Sequence, residues 1–299
     1  MFLSYAHFGI GPEGFDPSHS FFRSNYVPTL VLASIRAIIA IYCFTTMIVC
    51  YSWLANNLST NNLQDVNIDS YTLYIGSDGI HQSFSFFTYL TFWSLGFYFS
   101  FASMHTFCYA IKGRTWLQSW PRILQLFHYF YYTSITCFPF LVTIVFWGTM
   151  YSGPWPKGRF EQWINISVHG LNSLFALTEV VLPATSTSPW SHLSILLLVL
   201  SAYLGLAYLT RLTQGFYVYE WMNPAHGNAS IILHILGYTV GIISIFVIVK
   251  GAIWLKRYLA ERSGKDVTYR QSRMVRLDDS DKLNVRRRAM SQWGRGSFV

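Results

Sequence analysis

The chain has 299 residues, 52% hydrophobic, 18% aromatic and only 11% charged, with a positive mean hydropathy of +0.31. A soluble domain carries about a quarter of its residues as Asp, Glu, Lys and Arg, so this composition excludes one and describes a multi-pass membrane protein. The net charge of +8 is concentrated after Trp254, where twelve of the 21 Lys and Arg face five acidic residues; a basic tail on a membrane bundle accounts for it, and no nucleic-acid partner is expected.

The fold expected is an all-α polytopic bundle of six transmembrane helices, because six segments hold about 20 mostly apolar residues. They are Pro28–Ala55, Ser85–Ile111, Phe127–Tyr151, Phe160–Pro183, His192–Leu212 and Ala229–Leu255. Residues 1–27 form an N-terminal segment, 28–255 the transmembrane domain and 256–299 a basic tail expected to be disordered. The glycines and proline at Gly9, Gly11, Pro12 and Gly14 break the first segment, so it does not read as a cleaved signal peptide. The positive-inside rule places the tail in the cytoplasm, and an even helix count places the N-terminus there too. The connector with Lys112, Arg114 and Arg122 then also lies inside.

In the first segment Arg36 is the anomaly, a guanidinium at membrane depth that must find a partner or snorkel. Glu179 lies near the inner end of the fourth segment, and at about 1.5 Å per residue the two sit within about 6 Å in depth. An Arg36–Glu179 ion pair is therefore expected. The connector Asn56–Phe84 is rich in Asn, Asp, Ser and Thr and contains Asn57, the one N-x-S sequon far enough from the membrane to serve as an acceptor.

The second segment carries a hydroxyl face of Ser85, Thr88, Thr91 and Ser94. In the fourth, Asn165, His169 and Asn172 lie on roughly one side of a helix at i−4, i and i+3, with Glu179 further along. Thr91 and His169 fall within about one turn of each other in depth on two helices that run the same way. A hydroxyl beside an imidazole is an activated nucleophile. The competing reading is that Thr91 bonds the carbonyl one turn back and His169 is a core residue.

Cys43, Cys50, Cys108 and Cys137 fall inside predicted spans without metal-ligand spacing, so they read as buried apolar side chains; no metal site and no cofactor is expected. Pro139 lies within the third segment. Arg211, near the outer end of the fifth, has two readings. It holds the carboxylate of a substrate, or it snorkels and pairs with Glu220 or lipid phosphate.

Four stretches carry a resemblance: FTYLTFW at Phe87–Trp93, FPFLVTIVFWGTMY at Phe138–Tyr151, WINISVHGLNSLFALTE at Trp163–Glu179 and GFYVYEWMNP at Gly215–Pro224. They resemble the family of six-helix membrane proteins that includes the androgen-induced protein, the androgen-dependent regulator of tissue factor pathway inhibitor and, more distantly, rolling stone. The resemblance implies a membrane threonine hydrolase that splits fatty acid esters of hydroxy fatty acids, with nucleophile and histidine at Thr91 and His169. It implies a lipid substrate as partner, with Asn165 or Asn172 left to orient the imidazole. Ile166 stands where animal members often carry a second histidine, and HGLN at His169–Asn172 looks more like the rolling stone branch, which carries a non-enzymatic scaffold or receptor-like reading. A transporter is the third reading, without broken helix pairs or inverted repeats in its favour.

Overall fold

The computed structural model describes residues 4–12, 14–56, 66–68, 71–73 and 77–265. The Asn57 sequon and the tail beyond 265 lie outside the described residues. Among the described residues the regular structure is helical apart from one short antiparallel pair, β1 (Val66–Ile68) with β2 (Tyr71–Leu73). The α-helices are α1 (Thr29–Asn56), α2 (Ser77–Ser83), α3 (Phe87–Lys112), α4 (Arg122–Val145), α5 (Arg159–Ile166), α6 (Asn172–Val181), α7 (Ser191–Gln214) and α8 (Asn228–Arg262). Among the described residues, four stretches are long and apolar enough to cross a membrane: Thr29–Asn56, Arg122–Met150, His192–Gln214 and Asn228–Arg262.

α1 and α3 pack antiparallel along most of their length, with α4 and α6 closing the bundle. The close approach of α1 and α3 depends on Gly96, where a Cβ would lie 3.3 Å from Cys43 Cβ and 3.4 Å from the Phe44 ring. Phe92, Leu95, Phe99, Cys43, Met47 and Cys50 fill the seam. Lipid is as apolar as these side chains, so what the seam gains is close packing rather than dehydration. α7 and α8 show large apolar side chains outward, among them Leu198, Leu209, Ile232, Leu233 and Ile248.

Two of the expected continuous helices contain π-helical turns. The third segment begins earlier than expected, at Arg122, and ends in a π-turn over Phe146–Met150; the fourth divides into α5 and α6 around a π-turn at Ser167–Leu171. A π-turn inserts a residue and displaces a carbonyl from the i→i+4 ladder. The carbonyl oxygen of His169 is met by Thr143 Oγ1 of α4 at 2.7 Å and by Trp147 Nε1 of the Phe146–Met150 π-turn at 3.2 Å.

The N-terminal segment is folded onto one end of the bundle. Ile10, Phe15, Phe21 and Phe22 are buried, and Arg23 and Ser24 pair with Pro183 and Ala184. Gly9 has φ +87° and lies so close to Tyr129 that a Cβ would meet its ring at 2.6 Å. Beside it, His192 Nε2 lies 3.1 Å from the Phe8 carbonyl, and His192 Nδ1 lies 2.7 Å from Thr133 Oγ1, itself 3.0 Å from Ser188 Oγ. A carbonyl only accepts, so Nε2 carries the proton and Nδ1 accepts from Thr133, which ties the segment to α4 and α7.

The expectation of a tail that leaves the bundle at 256 is corrected. α8 continues to Arg262, and Lys256 is buried, donating to the carbonyls of Val180 at 2.8 Å and Pro183 at 2.6 Å. These are the last carbonyls of α6 and its loop, which lack partners in their own helix.

Candidate functional site

At the N-terminal-segment end of the core, Arg36 and Glu179 meet. Arg36 Nε and Nη2 donate to the two carboxylate oxygens at 3.0 and 2.5 Å, a fork matched to a fork. Arg36 Nη1 also donates to Phe21 O at 2.9 Å and Thr106 Oγ1 at 2.6 Å, while Tyr98 donates to Glu179 at 2.8 Å. Both charges are 1% exposed and carry the partners that burial demands. Tyr98 lies one heptad beyond Thr91 on α3, a spacing that could have marked it in advance.

Further along the same core, His169 is 1% exposed in its π-turn. Its imidazole lies face to face on Phe146, centroids 3.5 Å apart and planes 2° from parallel. Phe146 belongs to the other π-turn, so two local distortions are brought together here.

The two asparagines expected to orient the imidazole bond their own helix. The amides donate backwards, Asn165 Nδ2 to Glu161 O at 3.0 Å and Asn172 Nδ2 to Val168 O at 2.9 Å. Both side chains are fully buried, and an amide denied water takes the nearest carbonyl, one turn away.

Thr91 lines a cavity of about 400 Å³ between α3, α4 and α7, with Ser94, Tyr131, Phe138 and Tyr203 among its walls. Its hydroxyl donates to Phe87 O at 2.7 Å, so its single proton points along its own helix. A second cavity, of about 150 Å³, lies among α3, α4, α7 and α8 and is walled by Thr88, Phe146, Tyr203, Trp221 and Tyr238. The two share Phe87 and Tyr203. Tyr203 holds the start of α3, accepting from Phe87 N at 3.1 Å and donating to Ser85 O at 2.9 Å. Thr88 belongs to the hydroxyl face read from the sequence, whereas Phe146 and Tyr203 have no sequence signal of their own beyond their place in apolar runs.

Arg211 lines neither cavity. Its guanidinium donates to Gly215 O at the end of α7 and lies 4.7 Å from the Tyr217 ring centroid. Glu220, offered as its partner, instead lies 3.2 Å from His226. The αL turn at Gly215 folds the chain back, which brings a carbonyl and an aromatic face closer to Arg211 than any carboxylate.

Cys43, Cys50 and Cys137 are buried thiols, and among the described residues no cluster of three or more His, Cys, Asp or Glu has the form of a metal site. No protein-family model matches the chain, and no curated protein or solved structure matches it.

Proposed function

We propose that the chain is a membrane-embedded hydrolase of lipid esters, with Thr91 as nucleophile and His169 as base, in a bundle that crosses the membrane six times with both termini cytoplasmic. The observation that carries this reading is the pair of adjoining apolar cavities. One bears the Thr91 hydroxyl, the other reaches the phenyl ring on which His169 lies, and they share Phe87 and Tyr203. Cavities walled by aliphatic and aromatic side chains, with a few hydroxyls, suit acyl chains that enter sideways from lipid.

The chemistry follows from the groups. Thr91 turns about χ1 away from Phe87 O, and its oxygen attacks the ester carbonyl while the proton passes to His169. The alcohol leaves with that proton and an acyl-threonine remains. Water then attacks the acyl carbonyl, giving its proton to His169, and the acid departs as Thr91 regains its hydrogen. In this mechanism Asn165 or Asn172 orients the imidazole, and the unprotonated ring nitrogen is the proton acceptor. Phe146 covers a face of the ring, whereas the nitrogen lone pairs lie in its plane. The substrate class in this reading is the fatty acid esters of hydroxy fatty acids.

A second reading, a non-enzymatic scaffold, is favoured by one observation: the Thr91 proton is directed at Phe87 O. A fluorophosphonate probe separates the two. Labelling of the purified protein that disappears in Thr91→Ala and His169→Ala is the expected result. Labelling that persists without Thr91, or none at all, leaves the scaffold.

A further inference from the structure

At the end of the bundle that carries the N-terminal segment, α8 lies beside the loop between α6 and α7. Lys256 holds that loop from its buried side, at 3.5 Å from Thr185 Oγ1 as well as on the carbonyls of Val180 and Pro183. Lys250 Nζ donates to Ser188 O at 2.5 Å and lies 5.0 Å from the ring centroid of Trp190. Arg257 Nη1 donates to Ser186 Oγ at 2.9 Å. Three cations of one helix thus pin the loop, and Ser186 stands exposed on it.

The aromatic side chains give this surface its level in a bilayer. Trp190 is 61% exposed and Trp254 60%, and exposed indoles of a membrane bundle lie where hydrocarbon meets headgroups. Arg257 is three residues beyond Trp254, about 4.5 Å by helical rise. The headgroup layer is about 5–7 Å deep in each leaflet, so the guanidinium lies within it. On the other side of Trp254, α8 turns Val247, Ile248 and Gly251 outward, an apolar strip with a notch in it.

The charge here has one sign. From Lys250 to Lys265 the exposed or half-buried cations are Lys250, Arg257, Arg262 and Lys265, and Glu261 is the one acid. Its Oε1 lies 3.6 Å from Arg257 Nη2, too far for a good hydrogen bond. The guanidinium keeps N–H donors to give, and the Ser186 hydroxyl, which accepts from Arg257, keeps its proton.

We propose that Arg257 and Ser186 bind the phosphate of one anionic glycerophospholipid, whose acyl chains run along α8 past Trp254 and Gly251. A guanidinium beside an O–H supplies donors to two phosphate oxygens. The surplus of cations selects an anionic headgroup over a zwitterionic one. A lipid rather than a soluble phosphate is the ligand, because the apolar strip continues directly from the phosphate position into the hydrocarbon layer. The site is independent of the hydrolase reading.

Native mass spectrometry of the detergent-solubilised protein, titrated with phosphatidylglycerol or phosphatidylcholine of the same chains, tests it. Wild type retains one phosphatidylglycerol more tightly than phosphatidylcholine. Arg257→Gln weakens phosphatidylglycerol roughly tenfold, the worth of one charge-assisted hydrogen bond, and Arg257→Lys, which keeps the charge without the fork, falls between. Ser186→Ala, at an exposed position that folding does not depend on, loses about threefold. Arg122→Gln, at the start of α4 on the same end of the bundle, changes nothing. Equal affinity for the two lipids, no change in Arg257→Gln and Ser186→Ala, or an equal loss in Arg122→Gln overturns the site. Displacement of the lipid by millimolar glycerol phosphate marks a soluble anion as the ligand and overturns the lipid.

Discussion

Phe146 and His169 lie face to face at 3.5 Å, each contributed by a π-turn, and the His169 carbonyl is held by Thr143 of α4 and Trp147 of the Phe146 turn. The imidazole is thereby clamped on its face by a ring and along its main chain by Thr143 and Trp147. Distorted helical turns held by side chains recur where a helix must present a group in one fixed direction.

Phe146→Ala removes the ring from His169 and enlarges the cavity it walls. The expected cost is about 3–5 kcal/mol of stability, as for other buried phenylalanines. Thermal unfolding in detergent measures it, and Phe146→Leu, which keeps most of the volume, falls between wild type and alanine. Equal stability of all three proteins contradicts the clamp.

Thr91→Ala and His169→Ala each abolish lipid ester hydrolysis under the proposed function. Because the two act as one unit, the double variant is no slower than either single. Thr91→Ala expresses near wild-type levels, since the hydroxyl bonds only its own helix, whereas His169→Ala also loses the stack on Phe146. Hydrolysis at more than a few per cent of wild type in either single variant rejects the pair.

Glu179→Ala leaves the Arg36 charge buried without its counter-charge, and the expected loss is about 3–5 kcal/mol, seen as low yield and early unfolding. Arg36→Met with Glu179→Leu removes both charges and does less harm than either single change. The double variant still loses the bonds to Phe21, Thr106 and Tyr98, so it remains below wild type. Additive losses speak against the pair acting as a unit.

Asp16 gives the N-terminal segment a pH dependence. Its carboxylate accepts from Ser20 N and Oγ, both at 2.7 Å, and from Phe21 N at 3.0 Å, yet burial pushes its pKa from 3.8 up to about 6. A raised folded pKa means that the folded state binds the proton more tightly than the unfolded one. The contribution is therefore full below about pH 4 and is lost as pH rises through about 6. His19, lowered by burial, works in the opposite sense, so the measurement is the difference between wild type and Asp16→Asn. Protease resistance of the segment falls more steeply from pH 4.5 to 6.5 in wild type than in the variant. Parallel profiles exclude the effect.

Under the proposed topology of six crossings with cytoplasmic termini, a tag after Val299 and a tag in the Asn56–Phe84 connector lie on opposite sides. The C-terminal tag is reached only after permeabilisation, the connector tag without it when the protein is at the cell surface. Tags reached from the same side refute that topology.

Composition and local spacing were enough to show a helical chain with stretches able to cross a membrane, but not that the fourth stretch divides at a π-turn. A run of apolar residues becomes a helix in lipid because each backbone N–H must find a carbonyl within its own segment, a rule that needs no knowledge of neighbours. The Arg36–Glu179 contact was legible for a related reason. Two charges at membrane depth need partners, and the rise per residue gives their depth. Rotation about the helix axis is what the sequence could not supply. Tertiary packing alone decided that Thr91 faces the cavity between α4 and α7 while His169 lies against Phe146, because one extra residue in a π-turn redirects the side chains that follow. The same holds for the N-terminal segment, whose place depends on Phe21 O meeting Arg36 and Phe8 O meeting His192, contacts between residues far apart in the chain that no local pattern encodes.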